Sequence, residues 1–277
     1  MRFFVISRNF NYSFTKRGII VFNKIKFALV GAGVALALMT GSANAAPISS
    51  SDFVLGPTTP GKWGSSVMGT GASVTYSFMS AGIPTDATST TDLDSLMGPG
   101  TFSLFKTIVE SAFAAWSAVA DLTFSEVPDD GAPFNTTLGS GDIRIGAHAF
   151  DGPGGTLAHG FFPPVNGAVS AAGDIHFDSA EIWKDGFVGP GFDVFQVMTH
   201  ELGHALGLAH TAVPGSLMNE FYTEAFSGPQ ADDIAGMQFI YGAPTTTPIP
   251  VPAALPLMGS AFAVMGLFGW RRRRNAA

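Results

Sequence analysis

The chain has 277 residues, no cysteine and a formal net charge of −7 at pH 7. All 21 acidic residues but only four basic ones lie between residues 46 and 250, so that part carries a formal charge of −17 with histidine neutral. Such a surface repels nucleic acid, and a chain without disulfides is held by its core, by metal ions, or by both. Surplus carboxylates also suit Ca²⁺, although solubility alone explains part of the excess.

Residues 1–45 have the composition of a secretory signal peptide. They contain six basic residues and no acid, and the apolar run 27–39 leads to small residues that end at Ala45. The alternative is a membrane anchor, but the run falls short of the ~20 residues that span a bilayer. We therefore predict export through the Sec pathway, with cleavage after Ala45.

Residues 46–242 are long enough for one domain with a sizeable core. Apolar residues three and four apart predict one helix from Phe102, capped by Thr101, and another from Asp193 to Gly207. A last helix fits residues 229–241, with a proline in its first turn. β-Forming segments predict strands at 73–79, 122–127, 141–150, 156–162 and 173–178. Together these elements indicate an α+β or α/β-like domain around one sheet.

Three of the six histidines fall within the sequence HELGHALGLAH, residues 200–210. Residues four apart lie on one face of a helix, so the imidazoles of His200 and His204 can bind one Zn²⁺ ion. Glu201 lies beside them without having to be a ligand. In this HExxH pattern the glutamate serves as general base.

His210 is the candidate third ligand, because a catalytic zinc takes three protein ligands and keeps one position open. A straight helix would carry residue 210 past the metal. We therefore expect Gly207 to adopt a left-handed conformation that turns the chain back. A purely structural role for the histidines is the alternative, but few other arrangements give the spacing HExxHxxGxxH.

Met218 follows the third histidine by eight residues, and the extended motif with this methionine is typical of metzincins. Thr211 and the stretches AFAAWSAVADLTFSEV and PQADDIAGMQFIYG resemble the matrixins, the catalytic domains of matrix metalloproteinases. The resemblance covers roughly residues 60–242. It implies an α+β domain with a twisted five-stranded mixed sheet and three helices, a catalytic zinc, and endopeptidase activity on proteins or peptides.

The resemblance implies further metal sites. His159 and His176 match two ligands of the family's structural zinc. The loop that carries the family's first histidine and its acidic ligand is shorter here, so His148 is the substitute candidate for the histidine and the acidic partner stays unidentified. Three ordinary histidines are the alternative. The resemblance also implies two calcium sites. For the first of them, the alternative is an ordinary turn that binds no metal. The residues of the first are Asp151, Gly152, Gly154, Thr156, Asp178 and Glu181, and those of the second are Asp142 and Asp174.

A Thr/Pro linker, residues 243–250, leads into a different kind of segment, residues 251–277. Its Val-Pro start, apolar stretch and final arginines resemble the PEP-CTERM sorting tails of Gram-negative bacteria, although the Pro-Glu-Pro core is missing. The resemblance implies transient membrane association, processing by an exosortase-like enzyme, and delivery to the cell surface or matrix. A plain tail anchor is the alternative.

These residues predict a monomeric zinc endopeptidase in which Glu201 accepts a proton from zinc-acidified water and passes it to the leaving amine. The alternatives are a non-catalytic, metal-stabilised surface or biofilm-matrix protein and a cell-wall amidase. Latency through a propeptide thiol is not expected, since the chain has no cysteine. Glu220 occupies a position near which matrixins usually carry proline, which lines the pocket for the residue after the scissile bond. We therefore do not expect the family's preference for that residue to apply unchanged.

Overall fold

The computed structural model describes residues 2–6, 53–59, 61–136, 141–163 and 171–245. The chain divides into two units, Met1–Pro244 and Thr245–Ala277. The predicted sorting tail and most of the predicted signal peptide lie outside the described residues. No helix among those residues combines the length and apolar character needed to cross a bilayer.

A mixed β-sheet forms one layer of the domain, with the strand order β1-β5-β6-β4-β2-β3. All neighbouring pairs are parallel except β5 with β6. The strands are β1 (Arg2–Ile6), β2 (Ala72–Phe78), β3 (Leu122–Glu126), β4 (Ile143–His148), β5 (Thr156–Phe161) and β6 (Ile175–Asp178).

Strands β2 to β6 are the five strands that the sequence predicts, which confirms the five-stranded mixed sheet. The sixth, β1, was not expected, because Arg2–Ile6 falls within the predicted signal peptide. It pairs in parallel with the outer edge of β5. A separate short pair, β7 (Trp183–Lys184) with β8 (Phe192–Asp193), precedes the second helix.

The three predicted helices are α1 (Phe102–Ser117), α2 (Val194–Ala205) and α3 (Ala231–Tyr241). Thr101 is the N-cap residue of α1, as predicted, but its hydroxyl donates to the Gly98 carbonyl and makes no cap bond. A carboxylate oxygen of Asp94 accepts from the Phe102 N–H instead, at 3.1 Å. Helix α3 begins two residues later than predicted.

The core lies between the sheet and helices α1 and α2. Helix α1 packs against α2, and α2 packs against β5. Trp116, fully buried on α1, donates its indole N–H to the Thr199 carbonyl of α2 at 3.0 Å. On α3, the Tyr241 hydroxyl donates to the Leu206 carbonyl at 3.0 Å, just after α2 ends. These contacts fix α2 on both sides, and α2 carries the HExxH residues.

Candidate active site

Helix α2 presents His200, Glu201 and His204 inside the domain, and all three side chains are fully buried. The helix starts where the sequence predicts, because a carboxylate oxygen of Asp193 accepts from the Gln196 N–H at 2.8 Å. It ends before Gly207, whose φ of 114° confirms the predicted left-handed turn. A side chain at Gly207 would also meet the Gly61 carbonyl oxygen, 2.3 Å from an added Cβ.

The turn brings His210 back to the two helical histidines. The Nε2 atom of His210 lies 3.1 Å from Nε2 of His200 and 3.2 Å from Nε2 of His204. A tetrahedral zinc with Zn–N bonds of 2.0–2.1 Å places its nitrogen ligands about 3.3 Å apart. The spacing of the three imidazoles therefore fits a zinc ion.

The protonation of the rings fits zinc as well. Nδ1 of His200 lies 2.7 Å from the Leu217 carbonyl, and Nδ1 of His204 lies 2.7 Å from the Leu208 carbonyl. A carbonyl can only accept, so both Nδ1 atoms carry the proton and both Nε2 atoms present lone pairs. Burial, followed by the neighbouring imidazoles, pushes the pKa of His200 and His204 well below the usual value. Neutral lone pairs that converge in this way form a cation site.

Met218 packs against α2, the helix that carries His200 and His204. Its sulfur packs on Gly203 of α2 so closely that an added Cβ there would lie 2.3 Å from it. Met218 belongs to a buried turn, Ser216–Asn219, which we name the Met-turn. The Met218 carbonyl accepts from the Thr211 N–H at 3.0 Å, so the turn runs beside the segment that carries His210.

Asp233 on α3 holds the Met-turn, and the sequence patterns did not point to it. Its carboxylate is 1 % exposed and accepts from the backbone N–H groups of Leu217 (2.7 Å) and Met218 (3.0 Å) and from the Ser216 hydroxyl. It also accepts from the Gln230 N–H, so it caps α3 at the same time. Since Leu217 in turn accepts from His200, Asp233 supports a metal ligand through the turn.

Glu201 points into the same interior but makes no contact with the histidine nitrogens. Its carboxylate oxygens are buried, and Oε2 lies 3.2 Å from where a Cβ on Gly160 of β5 would be. Burial raises the pKa of Glu201 well above the usual value, while the Gly160 N–H opposes the shift. A carboxylate with a raised pKa beside a metal centre is suited to accept and return a proton near neutral pH.

A second cluster joins His148, His159 and His176 to Asp86. Strands β4, β5 and β6 each supply one histidine, and the loop after β2 supplies the carboxylate. One oxygen of Asp86 lies 3.3 Å from a ring nitrogen of His148, 3.3 Å from one of His176 and 3.7 Å from one of His159. The structure thus identifies the acidic partner that the sequence leaves open.

The electrostatics of the second cluster also favour a cation. Burial lowers the pKa of both His159 and His176, so their imidazoles are neutral. Burial would raise the pKa of Asp86, but its contacts with His148 and His176 lower it on balance. Three imidazoles and one carboxylate provide the four ligands of a closed zinc site.

The residues predicted for the first calcium site surround a glycine turn. Both oxygens of Asp151 accept from the Thr156 N–H, at 3.0 and 3.1 Å, and Gly152 and Gly154 have positive φ values. Glu181 accepts from the Gly154 N–H at 2.7 Å. Burial, and then the charges of Asp178 and Asp151, raise the pKa of Glu181. Negative charges thus gather here, and one oxygen of the buried Asp178 has no hydrogen-bond partner.

The two residues of the second predicted calcium site have different surroundings. A carboxylate oxygen of Asp142 accepts from the N–H and the hydroxyl of Thr75, both at 2.8 Å. Asp174 is fully buried, and neither carboxylate oxygen has a hydrogen-bond partner. Burial raises its pKa to about 8, although the charge of Arg144 opposes this. Asp174 is therefore the member of the pair that most needs a cation.

The described residues contain two groups of three or more histidine and acidic side chains close enough to share one ion, and both are histidine clusters. The calcium carboxylates do not form such a group. A mixed sheet, a helix with two histidines and a free glutamate, and a third histidine beyond a glycine turn together define a zinc metallopeptidase type of domain.

Comparisons with known proteins agree with this class. The matrixin family model matches residues 101–242, and the chain belongs to the matrixin family, whose members are zinc metalloendopeptidases that bind zinc and calcium. The family match begins at α1, and the structure adds β2 to the same sheet.

Among curated proteins, the chain is 44 % identical over 157 residues to stromelysin-3 of Xenopus laevis. The matched region covers 53 % of this chain and 30 % of that protein. It is 41 % identical over 151 residues to interstitial collagenase of Bos taurus, with the same coverage. It is 38 % identical over 159 residues to matrix metalloproteinase-25 of Mus musculus, covering 52 % of the chain and 24 % of the relative. The chain therefore spans less than a third of the length of these relatives.

Proposed function

We propose that the protein is an exported zinc-dependent endopeptidase. The observation that carries the proposal is the buried convergence of three Nε2 atoms beside a carboxylate that is not among them. His200, His204 and His210 would hold the zinc. Bound there, zinc supplies a Lewis acid that polarises a carbonyl and acidifies water.

The protein's own groups supply the proton transfers. Glu201 accepts a proton from the attacking water and delivers it to the leaving amine, and its raised pKa suits both steps. The carbonyls of Leu217 and Leu208 keep the two helical imidazoles in the tautomer that ligates through Nε2. The buried Met-turn closes the floor of the site with apolar surface.

Proposals about location and the other ions rest on the sequence and on charge. The predicted signal peptide of residues 1–45 and the predicted sorting tail of residues 251–277 support export and display on a bacterial surface; cleavage after Ala45 would remove β1 from the sheet. Asp86 with His148, His159 and His176 would hold a structural zinc. Calcium would bind at the glycine turn beside Asp178 and near the buried Asp174. The substrate would be a protein or peptide, and the protein a monomer.

The test compares the wild type with Glu201→Gln, which keeps the volume of the side chain but removes the base. We expect the wild type to cleave casein or gelatin and to stop when a zinc chelator is added. Glu201→Gln should lower the rate by roughly 10²–10⁴-fold at an unchanged zinc content. Glu110→Gln, an exposed substitution of the same kind on α1, is the control and should cleave like the wild type.

Three other results would contradict the proposal. A folded protein without zinc would remove the metal chemistry. A zinc-loaded protein that cleaves nothing would favour a metal-stabilised surface or biofilm-matrix protein. Activity on murein, with none on proteins, would favour the cell-wall amidase.

A further inference from the structure

Glu220 lies close to the zinc-binding histidines but is not one of the predicted ligands. The Met218 carbonyl accepts from the Thr211 N–H at 3.0 Å, and the Asn219 side-chain amide donates to the Thr211 carbonyl at 3.4 Å. These two bonds hold residues 218–219 beside residue 211. Glu220 follows residue 219 and His210 precedes residue 211, so each is the chain neighbour of a bonded residue.

The negative charge of Glu220 acts on His210. Burial lowers the pKa of His210 to about 4, and the negative charge of Glu220 acts in the opposite direction. The backbone around Glu220 is well defined, because the Asn219 side-chain oxygen accepts from the Phe221 N–H at 3.1 Å. Glu220 is half-buried and lies two residues beyond Met218, whose carbonyl is bonded to the residue that follows His210.

The four cationic side chains between residues 46 and 250 have other partners. Lys106 pairs with Glu126, Arg144 with Asp129, and Lys184 with Glu224. Lys62 is buried and donates to loop carbonyls, among them that of Ser65 at 2.5 Å. None of these four side chains pairs with Glu220 in the part of the chain that the structure describes.

We propose that Glu220 makes the enzyme prefer a lysine or arginine next to the scissile bond. The inference rests on the proposed peptidase function and adds a substrate class to it. A partly desolvated carboxylate gains most from a cationic partner that donates hydrogen bonds to it, and arginine can do so with two N–H groups. An acidic residue at the same position would be repelled.

The test is a set of peptides in which each of the three positions on either side of the scissile bond is arginine, glutamine or glutamate in turn. At one position we expect the wild type to have a kcat/KM about tenfold higher for arginine than for glutamine. Glu220→Gln should abolish that ratio, and Glu220→Lys should reverse it in favour of glutamate. Glu110→Gln removes a charge far from the site and should keep the wild-type ratio.

Binding gives a second measurement that does not need turnover. The inactive Glu201→Gln variant should bind the arginine peptide more tightly than the glutamine peptide by fluorescence anisotropy. The double variant Glu201→Gln/Glu220→Gln should bind both equally.

Two outcomes would overturn the inference while the proposed function stands. One is a wild type that cleaves arginine and glutamine peptides at equal rates. The other is a Glu220→Gln variant that slows all peptides by the same factor and loses zinc, since Glu220 would then act only through His210. A protein that neither binds nor cleaves any peptide would overturn the inference and the proposed function together.

Discussion

We propose that the two histidine clusters use the same side chain for different purposes. The first places His200, His204 and His210 on a helix and the turn after it, with Glu201 beside them and no fourth ligand in the group. The second takes one histidine from each of three strands and completes the set with Asp86. Three ligands leave a zinc ion open to water and substrate, whereas four close it. The number of ligands and the spare carboxylate, more than the histidines, distinguish a reactive site from a structural one.

The largest expected effect would come from removing a ligand of the open site. His204→Ala should bring peptide hydrolysis to the background rate and release one zinc per molecule, because two imidazoles cannot hold the ion in a reactive geometry. Hydrolysis rate and zinc content by mass spectrometry would check this. His176→Ala is the matched control in the closed site and should keep measurable activity at low temperature. Equal loss of activity in both variants would contradict the assignment of one cluster as catalytic and the other as structural.

Removing Asp86 should affect stability rather than chemistry. In Asp86→Ala, the second zinc should be lost together with the stabilisation it gives, about 3 kcal/mol at a zinc concentration of roughly 100 times Kd. Thermal unfolding of both proteins, with and without added zinc, would measure the difference. If zinc raises the Tm of wild type and variant equally, the second cluster does not bind it.

A substitution at Asp233 tests whether α3 supports the open site through the Met-turn. Asp233→Asn should cost about 1–3 kcal/mol of stability, because hydrogen bonds to a charged acceptor become weaker neutral ones. Zinc affinity should also fall, by roughly tenfold, since the carbonyl that orients His200 belongs to the Met-turn. Denaturant unfolding and zinc competition with a chelator would measure the two effects.

Asp94→Asn is the matched control for that substitution. Asp94 also accepts backbone N–H groups at a helix start, that of α1, and it belongs to neither cluster. It should lower stability without changing zinc affinity. An unchanged zinc affinity in Asp233→Asn would limit Asp233 to a structural role.

The smallest expected effect concerns calcium. A calcium-selective chelator should lower the Tm of the wild type, because the negative charges of Asp151, Asp178 and Glu181 then lose their counter-ion. Glu181→Gln should lower stability by about 1 kcal/mol in calcium and reduce the response to the chelator. A Tm that is indifferent to calcium in the wild type would contradict calcium binding at this turn.

Local patterns predicted much of the fold and the first cluster. The HExxHxxGxxH spacing places its ligands within eleven consecutive residues, so helix geometry and one glycine decide their positions. The strand segments and the cap at Asp193 are equally local. The position of the α1 cap was predicted correctly, but the missing bond of the Thr101 side chain was not, because a carboxylate seven residues earlier accepts the first N–H of the helix.

Contacts between distant segments could not be predicted in this way. Asp86 reaches its histidines only because β4, β5 and β6 lie side by side, and nothing in its local sequence separates it from Asp92 or Asp94. Asp233 looks like an ordinary acidic residue in the first turn of a helix, where it would favour the helix dipole. Its bonds to the Met-turn depend on how α3 packs in the finished domain.

The bonds of Asp233 have a consequence for the order in which the protein matures. Every predicted zinc ligand has been synthesised by residue 210, yet the carboxylate that secures the turn beneath them arrives more than twenty residues later. A nascent or truncated chain that ends before α3 would contain every predicted zinc-binding histidine. It would still lack the Asp233 carboxylate that holds the Met-turn. Helix α3, the last helix in the part of the chain that the structure describes, thus completes the support of the candidate catalytic centre.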